Sequence, residues 1–320
     1  MKTATDAPEW FLKAIQVAYE ERWIEVDDCS IHYQYWGKHG SELPGMDVPG
    51  MDVPGMDVPG ILFVHGNGAH SHWWDFIAPS FLSDYRVAAV DLSGMGDSGH
   101  RQQYSAQLFA DEVMGVAADA GFSGNTILVG HSFGGSVAAL AASMHPDQVA
   151  ALVLVDSAIG FGRRRRSRPE SHGSQRVLRQ RERTARSYAS LQAACKRFRL
   201  RPPQPCDNQY ILKHIAEHSV RKGSDGWQWK LDQMVFAKMT DSGPAAIRDP
   251  VEMIRGLKCP VSIIYGRNSR FFPSAVVANL DSAFAAASIV PIEDAHHHLF
   301  LDQPLQFVSS LQETLRNWGL

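Results

Sequence analysis

The sequence has no run that approaches the roughly 18 uninterrupted apolar residues of a membrane-crossing helix. Its first eight residues also lack the apolar centre of a secretory signal peptide. Cysteine is scarce, with 4 residues among 320, and none stands at the close spacing typical of a zinc site. We therefore expect a cytoplasmic protein without a membrane span, whose cysteines remain thiols. These are Cys29, Cys195, Cys206 and Cys259.

A strong overall charge is also lacking, since 31 Lys and Arg residues face 34 Asp and Glu residues, for a net charge of −3. The basic residues are nevertheless concentrated in one segment. Between Ser157 and Arg201 there are 14 Lys or Arg residues and only two acidic residues, Glu170 and Glu182. No RNA- or DNA-binding motif accompanies them, so we expect no nucleic-acid partner and favour a solvated basic surface. Attraction of an anionic substrate is the alternative.

Three tandem copies of Met-Asp-Val-Pro-Gly run from Met46 to Gly60. Because Pro and Gly recur in every copy, neither a helix nor a strand ladder can form, and residues 44–60 are predicted to be a flexible loop. A lid is the functional alternative. We favour a tolerated insertion, because added loop length has a small entropic cost.

Apolar runs typical of buried strands alternate with helical patterns along much of the chain. This alternation predicts an α/β fold, with a doubly wound, mostly parallel sheet covered by helices on both faces. We also expect an amphipathic lead-in helix from Pro8 to Glu21, followed by strands at about Trp23–Val26 and Ile31–Tyr35. The apolar runs are Ile61–Val64, Val87–Val90, Thr126–Val129 and Ala151–Val155.

A serine between two glycines follows one of these runs. The pentapeptide Gly130-His131-Ser132-Phe133-Gly134 comes directly after Thr126–Val129 and before the helix-forming segment Ser136–Ala142. A strand that turns sharply into a helix strains its central residue and needs small residues two positions to either side. The pattern predicts Ser132 as a nucleophile at a helix N-terminus, where negative charge is stabilised. The alternative is a chance Gly-x-Ser-x-Gly sequence, and the strand and helix context argues against it.

Two further segments lie where a serine nucleophile needs them. The turn His65-Gly66-Asn67-Gly68 follows a predicted strand, and the backbone N–H groups of such a turn suit an oxyanion hole. Near the C-terminus, three adjacent histidines, His296 to His298, offer a base. Consecutive side chains diverge and do not easily converge on one ion, so we expect no metal at these histidines.

The order of these segments resembles that of α/β-hydrolase-fold enzymes with a serine nucleophile, from about Val26 to the C-terminus. The glycine-rich segment Asp91–Gly99 is similar to the family's structural loop beyond the fourth strand. The spacing from His297 to Asp302 and Pro304 resembles the family's catalytic-histidine region and singles out His297.

The resemblance also implies a division of the chain. Residues 1–156 and 251–320 are expected to form the α/β-hydrolase core, and residues 157–250 a basic helical cap over the active site. Within this cap, apolar residues near a 3.5-residue spacing from Val177 to Phe198 predict one long amphipathic helix.

The acid of the catalytic triad is where the sequence departs from the family. Relatives commonly place it in the turn after the strand that corresponds to Pro260–Gly266, where this chain has Ser269. A serine cannot carry negative charge beside an imidazole. Asp156 is the preferred candidate, because some branches of the family carry the acid after the preceding strand, although an aspartate here can also be a structural turn residue. The other candidates are Asp281, Asp294 and Asp302.

Together these residues predict hydrolysis of a carboxylic ester of a small acyl substrate. Ser132 attacks the acyl carbon after His297 takes its proton, and Asp156 orients the imidazole. The N–H groups of Asn67 and Phe133 hold the oxyanion, and water then hydrolyses the acyl-enzyme. This chemistry requires no cofactor and no metal.

Three alternatives remain open at this point. Lactone opening and carbon–carbon bond hydrolysis use the same machinery. A non-catalytic ligand-binding member of the fold is the third, motivated by Ser269 and by the basic cap. A serine at the elbow argues against haloalkane dehalogenases and epoxide hydrolases, because their chemistry needs a carboxylate nucleophile.

Overall fold

The structure is a computed structural model that describes residues 7–37, 58–122, 124–157, 187–240, 250–283 and 287–320. Its framework is a set of strands numbered in chain order. These are β1 (Glu20–Val26), β2 (Cys29–Trp36), β3 (Gly60–Val64), β4 (Arg86–Val90), β5 (Thr126–His131), β6 (Val149–Val155), β7 (Val220–Gly223), β8 (Gly226–Trp229), β9 (Val261–Gly266) and β10 (Ser288–Ile292).

Eight of these strands form one sheet in the order β1-β2-β4-β3-β5-β6-β9-β10. The pairs β1–β2 and β2–β4 are antiparallel, and every later pair from β4 to β10 is parallel. β3, β5 and β9 are buried along their whole length, because helices cover both faces of the sheet. The predicted doubly wound, mostly parallel sheet is thereby confirmed.

The helices pack on the two faces of this sheet. In β3, Leu62 and Val64 join one apolar cluster, and Ile61 and Phe63 join the other, as the two-residue period of a strand requires. The α-helices are α1 (Glu9–Ala14), α2 (Ala106–Asp119), α3 (Phe133–Met144), α4 (Leu191–Cys195), α5 (Gln209–His218), α6 (Pro250–Arg255), α7 (Ser274–Ala283), α8 (Leu299–Asp302) and α9 (Pro304–Asn317), with 3₁₀ turns at Ser71–Trp73 and Ala78–Phe81.

Two predicted helices differ from the structure. The lead-in helix ends at Ala14, and residues 20 and 21 already belong to β1, because pairing with β2 takes them into the sheet. The long helix expected to end at Phe198 is wrong over its described part. Tyr188 forms a β-bridge to Trp227, and helix α4 begins only after Ser190, whose side chain caps it by accepting from the Ala193 N–H. Val177 and Thr184 lie outside the described residues.

The described part of the predicted cap, residues 187–240, contains α4, α5 and the β7–β8 hairpin. Helix α5 rests on the core. The Tyr210 ring lies 4.8 Å from the Phe11 ring, and His214 Nε2 lies 2.7 Å from Asp75 Oδ2. The cap boundaries remain a prediction, since residues 158–186 and 241–249 lie outside the described residues, as do residues 38–57 with most of the repeat.

Within the residues described, we find no helix with both the length and the apolar content needed to cross a bilayer.

Candidate active site

Ser132 lies at a sharp turn between β5 and α3. Its φ of 53° and ψ of −116° are unusual for a residue with a side chain and indicate local strain. The two flanking glycines have no room for a Cβ. A Cβ at Gly130 would lie 2.6 Å from the Gly134 carbonyl oxygen, and one at Gly134 would lie 2.3 Å from that of His65. This close packing of strand and helix presents Ser132 at the end of β5.

Asp156 directly follows β6 and is buried. Its Oδ1 lies 2.7 Å from His297 Nδ1 and also accepts a hydrogen bond of 2.7 Å from the Ser269 hydroxyl. Its Oδ2 accepts a 2.9 Å bond from the Gly266 N–H. The carboxylate therefore reaches the predicted histidine, and the serine at the family's usual acid position lies beside it.

The remaining acid candidates have other surroundings. Asp302 accepts hydrogen bonds from the backbone and ring of His296. Asp294 is exposed on a turn with φ of 53°. The side chain of Asp281 lies outside the described residues.

His297 is buried in the loop between β10 and α8. Its backbone oxygen lies 3.0 Å from His131 Nε2, and its ring lies 4.6 Å from the Phe271 ring. The neighbouring histidines have different partners, since His296 contacts Asp302, and the N–H and ring of His298 contact Gln204. This arrangement leaves His297 as the histidine directed at Asp156.

The Asp156–His297 pair titrates under the influence of burial. Burial raises the pKa of Asp156 to about 7, against the hydrogen bonds from Ser269 and Gly266 that favour the carboxylate. Burial and then the positive charge of Arg270 lower the pKa of His297 to about 4. At pH above 7 the pair therefore consists of a carboxylate and a neutral imidazole, the form in which a histidine accepts a proton.

The predicted oxyanion turn packs against the serine elbow. A Cβ on Gly66 would lie 2.8 Å from His131 Nδ1 and 3.4 Å from Ser132 Cβ. The turn is shaped by His65, whose Nε2 accepts from the Leu92 N–H at 3.0 Å and whose Nδ1 lies 2.7 Å from the Gly66 oxygen. Because Nε2 is an acceptor, Nδ1 carries the proton and donates it to that oxygen.

The two predicted oxyanion donors, Asn67 and Phe133, directly follow Gly66 and Ser132, the residues that approach each other at this contact. Phe133 is the first residue of α3, where an N–H has no acceptor within its own helix. Asn67 lines the cavity above the serine.

A cavity of about 600 Å³ contains Ser132, His297 and Asn67 in its wall. Asp156 is not in this wall and supports His297 from behind. The described part of the predicted cap contributes Arg199–Pro203, and the core loop after β9 contributes Arg270 and Phe271. Sequence reasoning did not select these residues individually, although Arg199 and Arg201 belong to the basic segment Ser157–Arg201 and Arg270 directly follows Ser269.

Sequence reasoning also missed a supporting residue, Ser157, which donates its hydroxyl to the backbone oxygen of Ser132 at 2.7 Å. Ser157 directly follows Asp156, and this position was its available sequence signal. His65 was included in the predicted oxyanion turn, but its role in shaping that turn was not predicted.

Comparisons with known proteins agree with this architecture. The family model described as alpha/beta hydrolase fold matches residues 59–304. The chain is 28% identical to the esterase Rv0045c of Mycobacterium tuberculosis, covering 80% of this chain and 82% of that protein. It is 26% identical to a pimeloyl-[acyl-carrier protein] methyl ester esterase of Aeromonas hydrophila, covering 79% of this chain and 93% of that protein.

A solved structure of a thioesterase domain from the curacin biosynthetic pathway superposes with a TM-score of 0.71 and 21% identity. The superposition covers 92% of this chain and 99% of the thioesterase domain. At this level of identity the likeness shows the fold alone.

The chain therefore belongs to the α/β-hydrolase-fold family, which confirms the resemblance predicted from its motifs. The names of the two relatives support the predicted enzyme class, a hydrolase that acts on ester bonds.

Proposed function

We propose that this protein is a serine esterase that cleaves a carboxylic ester through Ser132, His297 and Asp156. The observation that carries the proposal is the 2.7 Å contact between Asp156 Oδ1 and His297 Nδ1, at a cavity that also contains the strained Ser132. The relatives named esterases, aligned over about four-fifths of this chain, support the choice of an ester as substrate.

The roles follow from the hydrogen bonds. Because Nδ1 of His297 is held by Asp156, its Nε2 is the nitrogen that accepts the Ser132 proton. The Ser132 oxygen bonds to the acyl carbon, and the alcohol leaves with the proton that His297 returns. Water then attacks the acyl-enzyme, with His297 again as base, and the free acid is released.

The N–H groups of Asn67 and Phe133 stabilise the negative oxygen of both tetrahedral intermediates. An N–H at the start of a helix is suited to this role, because the helix dipole adds to the hydrogen bond. Residues 157–250 act as the cap that closes this cavity from above. The cytoplasmic location stays a prediction.

Labelling with a fluorophosphonate tests the nucleophile directly. We expect one phosphonylated peptide containing Ser132, and loss of labelling in Ser132→Ala. Ser136→Ala is the matched control, because Ser136 is an exposed serine on the same helix α3. It should label like the unaltered protein.

Ester turnover provides the second readout. With p-nitrophenyl acetate, Ser132→Ala should lower turnover by a factor on the order of 10⁴ or more, while circular dichroism and the melting temperature stay unchanged. A folded Ser132→Ala variant that keeps more than a tenth of the turnover would contradict the assignment. Absence of labelling in the unaltered protein would favour a non-catalytic role instead.

A further inference from the structure

Three arginines line the cavity that contains Ser132 and His297. Arg199 and Arg201 belong to the cap segment after α4, and Arg270 belongs to the core loop after β9. Fifteen described residues line this cavity, and neither an aspartate nor a glutamate is among them. The cavity is therefore positive on its cap side and on its core side, because a guanidinium stays protonated throughout the working pH range.

In the described ranges, no carboxylate lies within ion-pair distance of these three guanidinium groups. Arg199 Nη1 instead donates to the backbone oxygens of Lys196, at 2.9 Å, and Phe198, at 2.6 Å. The guanidinium of Arg270 lies 5.0 Å from the centre of the Phe271 ring. By contrast, Arg22, Arg101 and Arg267 each form an ion pair with a glutamate.

The charge of Arg270 also acts on the reacting groups. After burial, it is the cause that lowers the pKa of His297, and the Phe271 ring on which it rests is 4.6 Å from the His297 ring. An anion bound at Arg270 would therefore lie near the reacting ester. The positive charge is a local property, because the whole chain carries a net charge of −3.

We propose that Arg199, Arg201 and Arg270 bind a carboxylate or phosphate group of the substrate, so that the enzyme prefers esters whose acyl or alcohol part is anionic. A planar guanidinium matches the oxygens of either group with two parallel hydrogen bonds. A cavity of about 600 Å³ is in the range that holds a small molecule. This inference rests on the proposed esterase function and identifies its substrate class.

Matched esters test the preference. We would compare a series of ethyl esters of straight-chain acids that end in a carboxylate with the same chains ending in a carboxamide, which have nearly the same shape and no charge. At the best chain length and low salt, kcat/KM should favour the carboxylate by about tenfold or more. The preference should weaken at high salt, because ions screen exposed charges. A third series that ends in a phosphate monoester distinguishes the two anions.

Arginine variants locate the effect. In the double variant Arg199→Gln/Arg201→Gln, and separately in Arg270→Gln, the ratio of carboxylate to carboxamide kcat/KM should fall toward one, mainly through KM. Arg197→Gln is the matched control, because Arg197 is exposed and belongs to the same segment but does not line the cavity. It should leave both kcat/KM values unchanged.

The outcomes separate this proposal from the esterase proposal. Hydrolysis of carboxamide-ended esters at rates equal to or above both anionic series overturns the anion site and leaves the esterase function standing. A preference that survives all of the arginine variants also overturns it. If no ester is hydrolysed and the fluorophosphonate does not label Ser132, both proposals fail.

Discussion

The core and the described part of the predicted cap contribute to the cavity in different ways. Ser132, Asp156 and His297 each follow a core strand, namely β5, β6 and β10. Arg199 and Arg201 instead lie in irregular chain after α4. The carboxyl ends of parallel strands meet at one edge of a sheet, so the fold itself brings the first three together. On the two proposals, the strand ends therefore determine the reaction, and the arginines of the surrounding loops, including Arg270 of the core, determine which ester is accepted.

The largest effect is expected from substitution of Asp156, the proposed acid of the catalytic triad. Asp156→Asn should lower ester turnover by up to about 10⁴ and leave the fold intact, because an amide neither fixes the correct imidazole tautomer nor stabilises the imidazolium. Turnover of p-nitrophenyl acetate and circular dichroism would be measured together. Asp302→Asn is the matched control, since its carboxylate contacts His296 rather than His297, and it should cost less than about tenfold.

A double variant tests the same assignment by restoring a carboxylate at a neighbouring position. In Asp156→Asn/Ser269→Asp, a carboxylate returns within the space that the Ser269 hydroxyl now shares with Asp156, and part of the lost turnover should recover. A single Asp156→Asn variant with near-normal turnover would refute Asp156 as the acid.

The contact between helix α5, in the predicted cap, and the core is expected to matter for stability. Asp75 Oδ2 contacts His72 Nδ1 at 2.9 Å and His214 Nε2, on α5, at 2.7 Å. Burial alone would raise the pKa of Asp75, but the two histidines lower it well below its usual range. Asp75→Asn should reduce the free energy of unfolding at pH 6 by about 3 kcal/mol, because a buried ion pair loses one partner. Urea denaturation measures this difference.

The pH dependence of that loss checks its origin. Burial opposes protonation of His72, yet Asp75 raises its pKa above the ordinary value of 6.5. The stabilisation is therefore present below pH 6.5 and is lost as the pH rises through the raised pKa of His72. It is also lost in strong acid, as Asp75 becomes protonated. An Asp75→Asn effect that stays constant from pH 6 to pH 9 would show that the charge of the pair contributes nothing.

A smaller effect is expected from Ser269. Its hydroxyl donates to Asp156 Oδ1, so Ser269→Ala removes one of the hydrogen bonds that stabilise the carboxylate but leaves the bond from Gly266. Turnover should fall by less than about tenfold, which corresponds to roughly 1.4 kcal/mol. A larger fall in kcat, with the melting temperature unchanged, would mean that Ser269 does more than support the acid.

The smallest expected effect concerns pH. Arg270 is exposed, and its charge lowers the pKa of His297 and so opposes protonation of the Asp156–His297 pair. Arg270→Gln should therefore move the acid limb of kcat/KM, which reports protonation of that pair, to higher pH by less than about one unit. A neutral ester is the substrate, so that anion binding does not interfere. Arg267→Gln is the control, because Arg267 pairs with Glu293 outside the cavity. A shift to lower pH would contradict the sign of the interaction.

The contrast between core strands and irregular loops also explains what the sequence could predict. The strands before Ser132 and Asp156 were recognisable as apolar runs, because a strand covered on both faces consists almost entirely of apolar residues. The contact between Asp75 and His214 joins residues 139 positions apart and left no local pattern. The start of β1 was also hidden, because its pairing with β2 takes Glu20 and Glu21 into the sheet, although the helical spacing was expected to extend to Glu21.

The hydrogen bond between Ser269 and Asp156 has a consequence for how sequences of this kind are interpreted. The two residues follow β9 and β6, yet the Ser269 hydroxyl and the His297 ring both contact the same carboxylate oxygen, Asp156 Oδ1. A relative with the acid after β9 and the hydroxyl after β6 would differ from this chain in a sequence alignment. In both proteins, however, the carboxylate would lie in the same region beside the histidine. A survey that requires the acid in one fixed column would therefore classify proteins built like this one as degenerate, although a carboxylate stands where their histidine needs it.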